Sequence, residues 1–186
     1  AGMGISGAIE YHSIEEINKI INVNLMGLIY VTRKIIPYLK KAKGKIINIS
    51  SVAGPISIPF QTMYSVSKSA VLAFSTGLRN ELRPYGVKVT SILPGDTKTG
   101  FTSAREKSVD YGEYGERIAR SVSRMEKDET SGVPPIKVAK KIYKVSRKKN
   151  PNTYYVVGIS YQLLVFLSRI LPKRLVNYII YLIYGK

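Results

Sequence analysis

A chain of 186 residues, 45% of them hydrophobic, can bury one sizeable core and leaves no room for a second independent domain. The absence of Cys excludes disulfides, thiolate metal sites and a cysteine nucleophile, and a single His, at position 12, excludes a His-rich metal centre. The formal charge of +17 is large enough to attract nucleic acid or anionic lipid, although Lys on solvated helix faces produces the same number with no partner at all. The first residue is Ala, and no basic stretch followed by an apolar run resembles a secretory signal. The expectation is a piece of a longer, cytoplasmic chain, seated peripherally at a membrane if the charge has a partner there.

Ser13, with Glu16 three residues on, has the capping-box pattern. Ile17, Ile20, Ile21, Leu25, Leu28, Val31, Ile35 and Leu39 follow at helical spacing and predict a long helix, broken near Asn24. His12 is expected on the surface before that cap. Gly44 ends the helix, and residues 45–49 are short, apolar and β-branched, as a parallel strand buried on both faces is. After a Gly/Pro loop, residues 64–83 form a helical pattern closed by Pro84 and Gly86, and residues 87–93 are the next strand. Residues 96–132 are polar and Gly-dotted with no clear period, and they predict a mobile loop or short helices lying over a site. Pro135 opens a basic helix over residues 136–148, and residues 154–157 are a last strand. Helix alternating with apolar strand is the pattern of a βαβ sheet, because parallel neighbours need a crossover.

Tyr64 and Lys68 stand four apart on one helix, so a phenol and an ammonium share a face. A free Tyr titrates near pH 10, too high for an efficient base, and an adjacent cation lowers it. Alone, such a pair is also what solvated surface residues of a Tyr- and Lys-rich chain give. Its surroundings add weight: Ile49-Ser50-Ser51 at the end of a strand, Asn24 within Asn22-Val23-Asn24-Leu25-Met26-Gly27, and Pro94-Gly95-Asp96-Thr97-Lys98-Thr99 after the next strand.

With Ala1-Gly2 and residues 45–54, these segments resemble the short-chain dehydrogenase/reductase family in order and separation across roughly the first hundred residues. The resemblance implies an α/β fold: a Rossmann-type, doubly wound parallel sheet whose first strands precede this chain, over residues 1–158, with an apolar, basic helical extension over residues 159–186. It implies an NAD(P)-dependent oxidoreductase acting on a carbonyl or alcohol. Tyr64 would be the proton donor and acceptor, Lys68 would lower its pKa and hold the nicotinamide ribose, and Ser51 rather than Ser50 would bind the substrate oxygen. Asn24 would hold a water linking Lys68 to solvent. Ala1, Gly2, Pro94, Gly95, Thr97 and Thr99 would contact the cofactor, which supplies the hydride. Gly2, Gly4 and Gly7 spell Gly-x-Gly-x-x-Gly, but no strand precedes them and no acidic residue follows about 20 residues on, so they are not expected to bind pyrophosphate. The phosphate-binding turn and the residue choosing NAD or NADP would lie upstream, in about two βαβ units of ~30 residues each. This chain by itself is then expected to bind nicotinamide cofactor weakly or not at all.

His12 has no Gly-x-Ser-x-Gly elbow to serve, and no Walker, paired-carboxylate or Cys/His pattern offers a hydrolase, glycosidase or zinc reading. Two other classes remain open: a basic nucleic-acid-binding module, for which residues 137–149 have the charge but Tyr143 as their one aromatic, and a catalytically silent membrane-surface scaffold. Family members commonly dimerise through the helices here near 24–41 and 64–83, so a homo-oligomer is expected. Residues 159–171 and 175–184 are apolar but shorter than the roughly 20 residues of a membrane span. They predict an interfacial seat, with Arg169, Lys173, Arg174 and Lys186 toward anionic headgroups and Tyr161, Tyr178, Tyr181 and Tyr184 at the water boundary, and hence a lipid-like substrate. The competing expectation is that these segments cover the substrate pocket or a second subunit.

Overall fold

The structure, a computed structural model, describes residues 2–107 and 111–186. In chain order its elements are β1 (Ile5–Ser6), α1 (Ile14–Ile21), α2 (Gly27–Ala42), β2 (Lys45–Ile49), α3 (Thr62–Glu81), β3 (Lys88–Pro94), β4 (Glu106–Lys107), α4 (Gly115–Thr130), α5 (Pro135–Ser146), β5 (Tyr154–Val157), α6 (Ile159–Ile170) and α7 (Lys173–Ile180).

Strands β2, β3 and β5 form a parallel sheet in that order, with Lys45 opposite Lys88 and Ser91 opposite Tyr154. Helix α3 carries the chain from β2 to β3, and α4 and α5 carry it from β3 to β5, as parallel pairing requires. Helices cover both faces of β3. Val89 packs with Leu78 and Leu82 on the α3 side, and Ile92 packs with Val145 and Val138 of α5 on the other. Val89, Ile92 and Leu93 are fully buried, each contributing about 1.5–3 kcal/mol relative to exposure. This is the doubly wound α/β architecture the alternation predicts. β2 is the edge strand of the described sheet, and Ile49 at its end is 40% exposed.

The long first helix is one continuous rod with a π-turn over Asn22–Met26 between α1 and α2, which places the predicted break at Asn24. The capping box forms as the sequence predicts, Ser13 Oγ accepting from the Glu16 amide at 3.1 Å and Glu16 accepting from the Ser13 amide at 2.9 Å. The His12 side chain is only 4% exposed and sits 3.4 Å from Glu16 Oε2, so it is turned inward instead of lying on the surface.

Between β3 and α5, where a mobile loop or short helices are expected over a site, the chain forms one long helix whose Met125 and Glu129 line a cavity. Helix α4 runs for 16 residues and buries Ile118, Ser121, Val122, Met125 and Glu129 at helical spacing. Before it, β4 pairs in parallel with β1, Ile5 opposite Glu106.

Helices α6 and α7 turn back over the sheet from Gly158, whose φ of 99° is a conformation that glycine adopts without strain. Val165 and Ile180 pack against Ile56, Leu93 and Val156. Among the described residues no helix is long and apolar enough to cross a membrane.

Candidate active site

The sheet ends in a cavity of about 580 Å³ beyond the carboxyl ends of β2 and β3, where open α/β sheets place ligands. The strand tips are held past their last ladder residues: Ser50 N donates to Ile92 O at 2.9 Å and Val52 N to Pro94 O at 3.0 Å. Ser51, Tyr64 and Lys68 line one wall, Pro94, Gly95, Thr97 and Thr99 another, and Gly2 reaches it from the start of the chain.

Tyr64 lies in the first turns of α3, one helical turn before Lys68. Its phenol lies beside the Ser51 hydroxyl, near enough to feel it, and that hydroxyl accepts from the Ala53 amide at 3.1 Å. Ser50 Oγ instead donates to the Lys68 carbonyl at 2.8 Å, a bond that pins α3 to the β2 tip. Ser51 thus stands beside Tyr64, while Ser50, which also lines the cavity, is tied to α3.

Lys68 Nζ lies 5.7 Å from the Tyr64 ring centroid and donates to Ile49 O at 3.4 Å. Burial brings its ammonium down to about 8. Burial also pushes the Tyr64 phenol up to about 12, with the neighbouring Ser51 hydroxyl pulling down and the Glu129 carboxylate adding to the rise. Tyr64 is thus raised, not lowered as its pairing with Lys68 predicts, because desolvation of the phenolate outweighs the neighbouring donors and cations.

Asn24 is buried in the π-turn. Its Oδ1 accepts from the Met3 amide at 2.8 Å, and its Nδ2 donates to Met3 O at 2.9 Å and to Ser67 Oγ at 3.0 Å. Ser67 in turn donates to Tyr64 O at 2.7 Å, so Asn24 reaches the Tyr64 turn through one hydroxyl. Gly2 separates Asn24 from Lys68: a Cβ there would lie 3.7 Å from both Asn24 Oδ1 and Lys68 Nζ. Thr97 Oγ1 donates to Gly95 O at 2.9 Å, and Thr99 Oγ1 accepts from Phe101 N at 3.2 Å. Ala1 lies outside the described residues.

Several lining residues carry no signal that periodicity or motif could have found. Phe101 packs on Tyr64 with ring centroids 5.5 Å apart. Met125 and Glu129 come from α4, and Tyr161, Ile180 and Tyr184 from the carboxy-terminal helices. Glu129 is paired with the buried Arg105 guanidinium and accepts from Thr102 Oγ1 at 2.7 Å. Tyr161 donates to Asp96, and Tyr184 to Asp128 at 3.0 Å. These two tyrosines face inward, not toward a water boundary, because buried phenols need acceptors and the carboxylates beside the cavity provide them.

The donor set fits the nicotinamide end of a dinucleotide. Among the described residues Lys68 Nζ has a single long bond to protein and keeps donors for ribose hydroxyls, and the Pro94-Gly95 turn and Thr97 line the same cavity. Gly2, Gly4 and Gly7 do not make a phosphate turn. A 3-10 turn at Ile9–Tyr11 follows them, and the first α-helix starts only at Ile14 behind its Ser13 cap.

The family model for short chain dehydrogenases matches residues 1–110. This chain belongs to the short chain dehydrogenase family. Membership places it among the NAD(P)-dependent oxidoreductases. It is 39% identical over 190 residues to the 3-ketodihydrosphingosine reductase of Bacteroides thetaiotaomicron, spanning 100% of this chain and 71% of that one. To the NADPH-dependent 3-dehydrocapnine reductase of Ornithobacterium rhinotracheale it is 35% identical over 192 residues, 97% of this chain and 67% of the relative. A short-chain dehydrogenase from Streptomyces avermitilis shares the fold with a TM-score of 0.80 at 24% identity, over 89% of this chain and 61% of that structure. A family member from Burkholderia phymatum in complex with NAD aligns with a TM-score of 0.78 at 22% identity, over 91% of this chain and 63% of its own. The chain spans about six-tenths of the length of these solved structures.

Proposed function

We propose that the enzyme carrying this chain reduces the carbonyl of a long-chain, lipid-like ketone with NAD(P)H, Tyr64 being the proton donor. The observation that carries the reading is the Tyr64–Ser51 hydroxyl pair at the head of a cavity whose further walls are apolar, including Ile56, Val138, Ile142, Leu164 and Ile180. The named substrates of the two bacterial relatives agree with it.

When bound, the cofactor supplies the hydride. Ser51 and Tyr64 hold the substrate oxygen between two hydroxyls, and Tyr64 gives its proton to that oxygen as negative charge develops there. A phenol held up near 12 by burial stays protonated across the physiological range, which suits an acid in the reducing direction. Lys68 holds the ribose hydroxyls and favours the phenolate left behind. Asn24, across Gly2 from Lys68, positions the water through which the proton is restored. The test is reduction of 3-ketodihydrosphingosine with NADPH and NADH by the enzyme carrying this chain. Turnover with at least one cofactor supports the reading, and none with either removes it.

The outer faces of α6 and α7 support a membrane seat as a second element. Ile159, Leu163, Phe166 and Ile170 are exposed, Ile159 by 87%, beside exposed Arg169, Lys173 and Arg174. Tyr178 and Tyr181 lie outside with them, stacked at 6.4 Å. Co-sedimentation with anionic but not neutral vesicles, lost on changing Ile159, Phe166 and Ile170 to Ser, is the expected result. Self-association has its support in α2, where Tyr30, Val31, Ile35 and Tyr38 are exposed together. Light scattering that finds a monomer would remove that element alone.

A further inference from the structure

The carboxylate of Asp96 is the feature of the cavity that neither hydride transfer nor proton transfer uses. It lies two residues past the end of β3, and its main chain is clamped, the Asp96 carbonyl accepting from Val133 N at 2.9 Å. Its side chain lines the cavity and accepts from the Tyr161 phenol. Among the described residues it forms no ion pair, whereas its acidic neighbours do: Glu129 has Arg105, and Asp128 has Arg124 at 3.1 Å. Lys68 is the cation among the residues lining the cavity, and its Nζ sits on the Gly2 side, where a Gly2 Cβ would lie 3.7 Å from it. In a chain of formal charge +17, one end of an apolar cavity is therefore negative.

A carboxylate with one neutral donor is poorly compensated in such a place. Burial together with Glu129 and Asp128 holds the Asp96 carboxyl above the usual carboxylate range, against the Tyr161 hydrogen bond and Arg105. Pinning α6 through Tyr161 does not require an acid, because any carbonyl acceptor would serve. A second observation points the same way. Gln61 is buried and lines the same cavity, and its side-chain amide has one partner among the described residues, the Met125 sulfur at 2.5 Å. Sulfur is a weak acceptor, and the Gln61 side-chain oxygen has no partner among those residues. An acid without a counter-charge and an amide oxygen without a donor both ask for a ligand that brings positive charge and N–H groups.

We infer that the cavity takes a ketone whose polar head carries an ammonium group, with Asp96 as its counter-charge and Gln61 as a further acceptor. The inference rests on the carbonyl-reductase reading above and names the substrate class for it. The ammonium gives Asp96 the partner it lacks, while the alkyl chain lies against Val138, Ile142, Leu164 and Ile180. Asp96 is then the residue that separates amino ketones from plain ketones of the same length.

The test compares kcat/KM for a long-chain 2-amino-3-ketone and for the plain 3-ketone of equal length, in the parent enzyme and in Asp96→Asn, which keeps an acceptor for Tyr161. The parent should prefer the amino ketone by about tenfold or more, and Asp96→Asn should bring that ratio close to one. Equal kcat/KM in the parent, or a preference that survives Asp96→Asn, overturns the inference. Turnover of neither ketone by the parent would strike the carbonyl-reductase reading instead. Calorimetry needs no turnover: a saturated long-chain primary amine should bind the parent about tenfold more tightly than the alcohol of equal length. Equal binding of the two overturns the inference even if every variant misfolds.

Discussion

Asn24 grips the main chain of Met3 from both sides, its Oδ1 taking the Met3 amide at 2.8 Å and its Nδ2 giving to the Met3 carbonyl at 2.9 Å. The side-chain amide pairs with the backbone as a neighbouring strand would, and it ties the first described residues to the π-turn. Asn24→Ala would leave both Met3 groups and Ser67 Oγ without these partners, at about 1–3 kcal/mol for each group that water cannot reach. Urea unfolding should show a lower midpoint with an unchanged slope. An unchanged midpoint would mean that the pairing contributes nothing.

The pH dependence of reduction should follow Lys68. Burial lowers its ammonium to about 8, so it is charged below that pH and neutral above it, while Tyr64, held up to about 12, stays protonated through the same range. The expected profile of kcat/KM is flat on the acid side of 8 and falls above it. Lys68→Arg keeps a charge at all these pH values and should remove the falling limb, whatever its absolute rate. A limb that persists in Lys68→Arg would belong to another group.

Gly95 has room for no side chain, because a Cβ there would overlap the Tyr161 ring. Gly95→Ala should displace Tyr161, break its bond to Asp96 and loosen α6 over the cavity, at about 1–3 kcal/mol of overpacking. A fall in the thermal midpoint together with a raised KM for the ketone is the outcome to look for. Replacing Gly77, where a Cβ meets nothing within 4 Å, is the control expected to leave the KM unchanged.

Much of this was legible from periodicity and spacing, and the exceptions have physical causes. Strand β3 and helix α3 could be read because Val89, Ile92, Leu93, Val71 and Leu78 are core residues of ordinary type. Helix α4 could not. Its buried face holds Ser121 and Glu129 beside Ile118, Val122 and Met125, so too few of its core positions are apolar to set a visible period. Ser51, Tyr64 and Lys68 could be found because their chemistry travels with local spacing, whereas Glu129, Tyr161 and Tyr184 reach the cavity through packing of distant elements. Two tyrosines expected at a membrane boundary face carboxylates inside, since a phenol's preference for either depends on which acceptor the fold brings near.

The Arg105–Glu129 pair should behave as a buried ion pair does. The Arg105 side chain is fully buried, and two of its nitrogens have no hydrogen-bond partner among the described residues. Glu129→Gln removes the charge paired with it and should destabilise by about 3–5 kcal/mol. Arg105→Met combined with Glu129→Gln should recover most of that loss. A double variant as unstable as the single one would show that the two side chains are not coupled.

Single-turnover reduction of 3-ketodihydrosphingosine by the NADPH-loaded enzyme, in parent and Tyr64→Phe, tests the central claim most directly. Loss of the transferable proton should slow the chemical step by about 10²–10⁴-fold while NADPH affinity, read by fluorescence titration, stays within a few-fold of the parent. Tyr64→Phe turning over at the parent rate would contradict the account, because the hydroxyl beside Ser51 could then not be the proton donor.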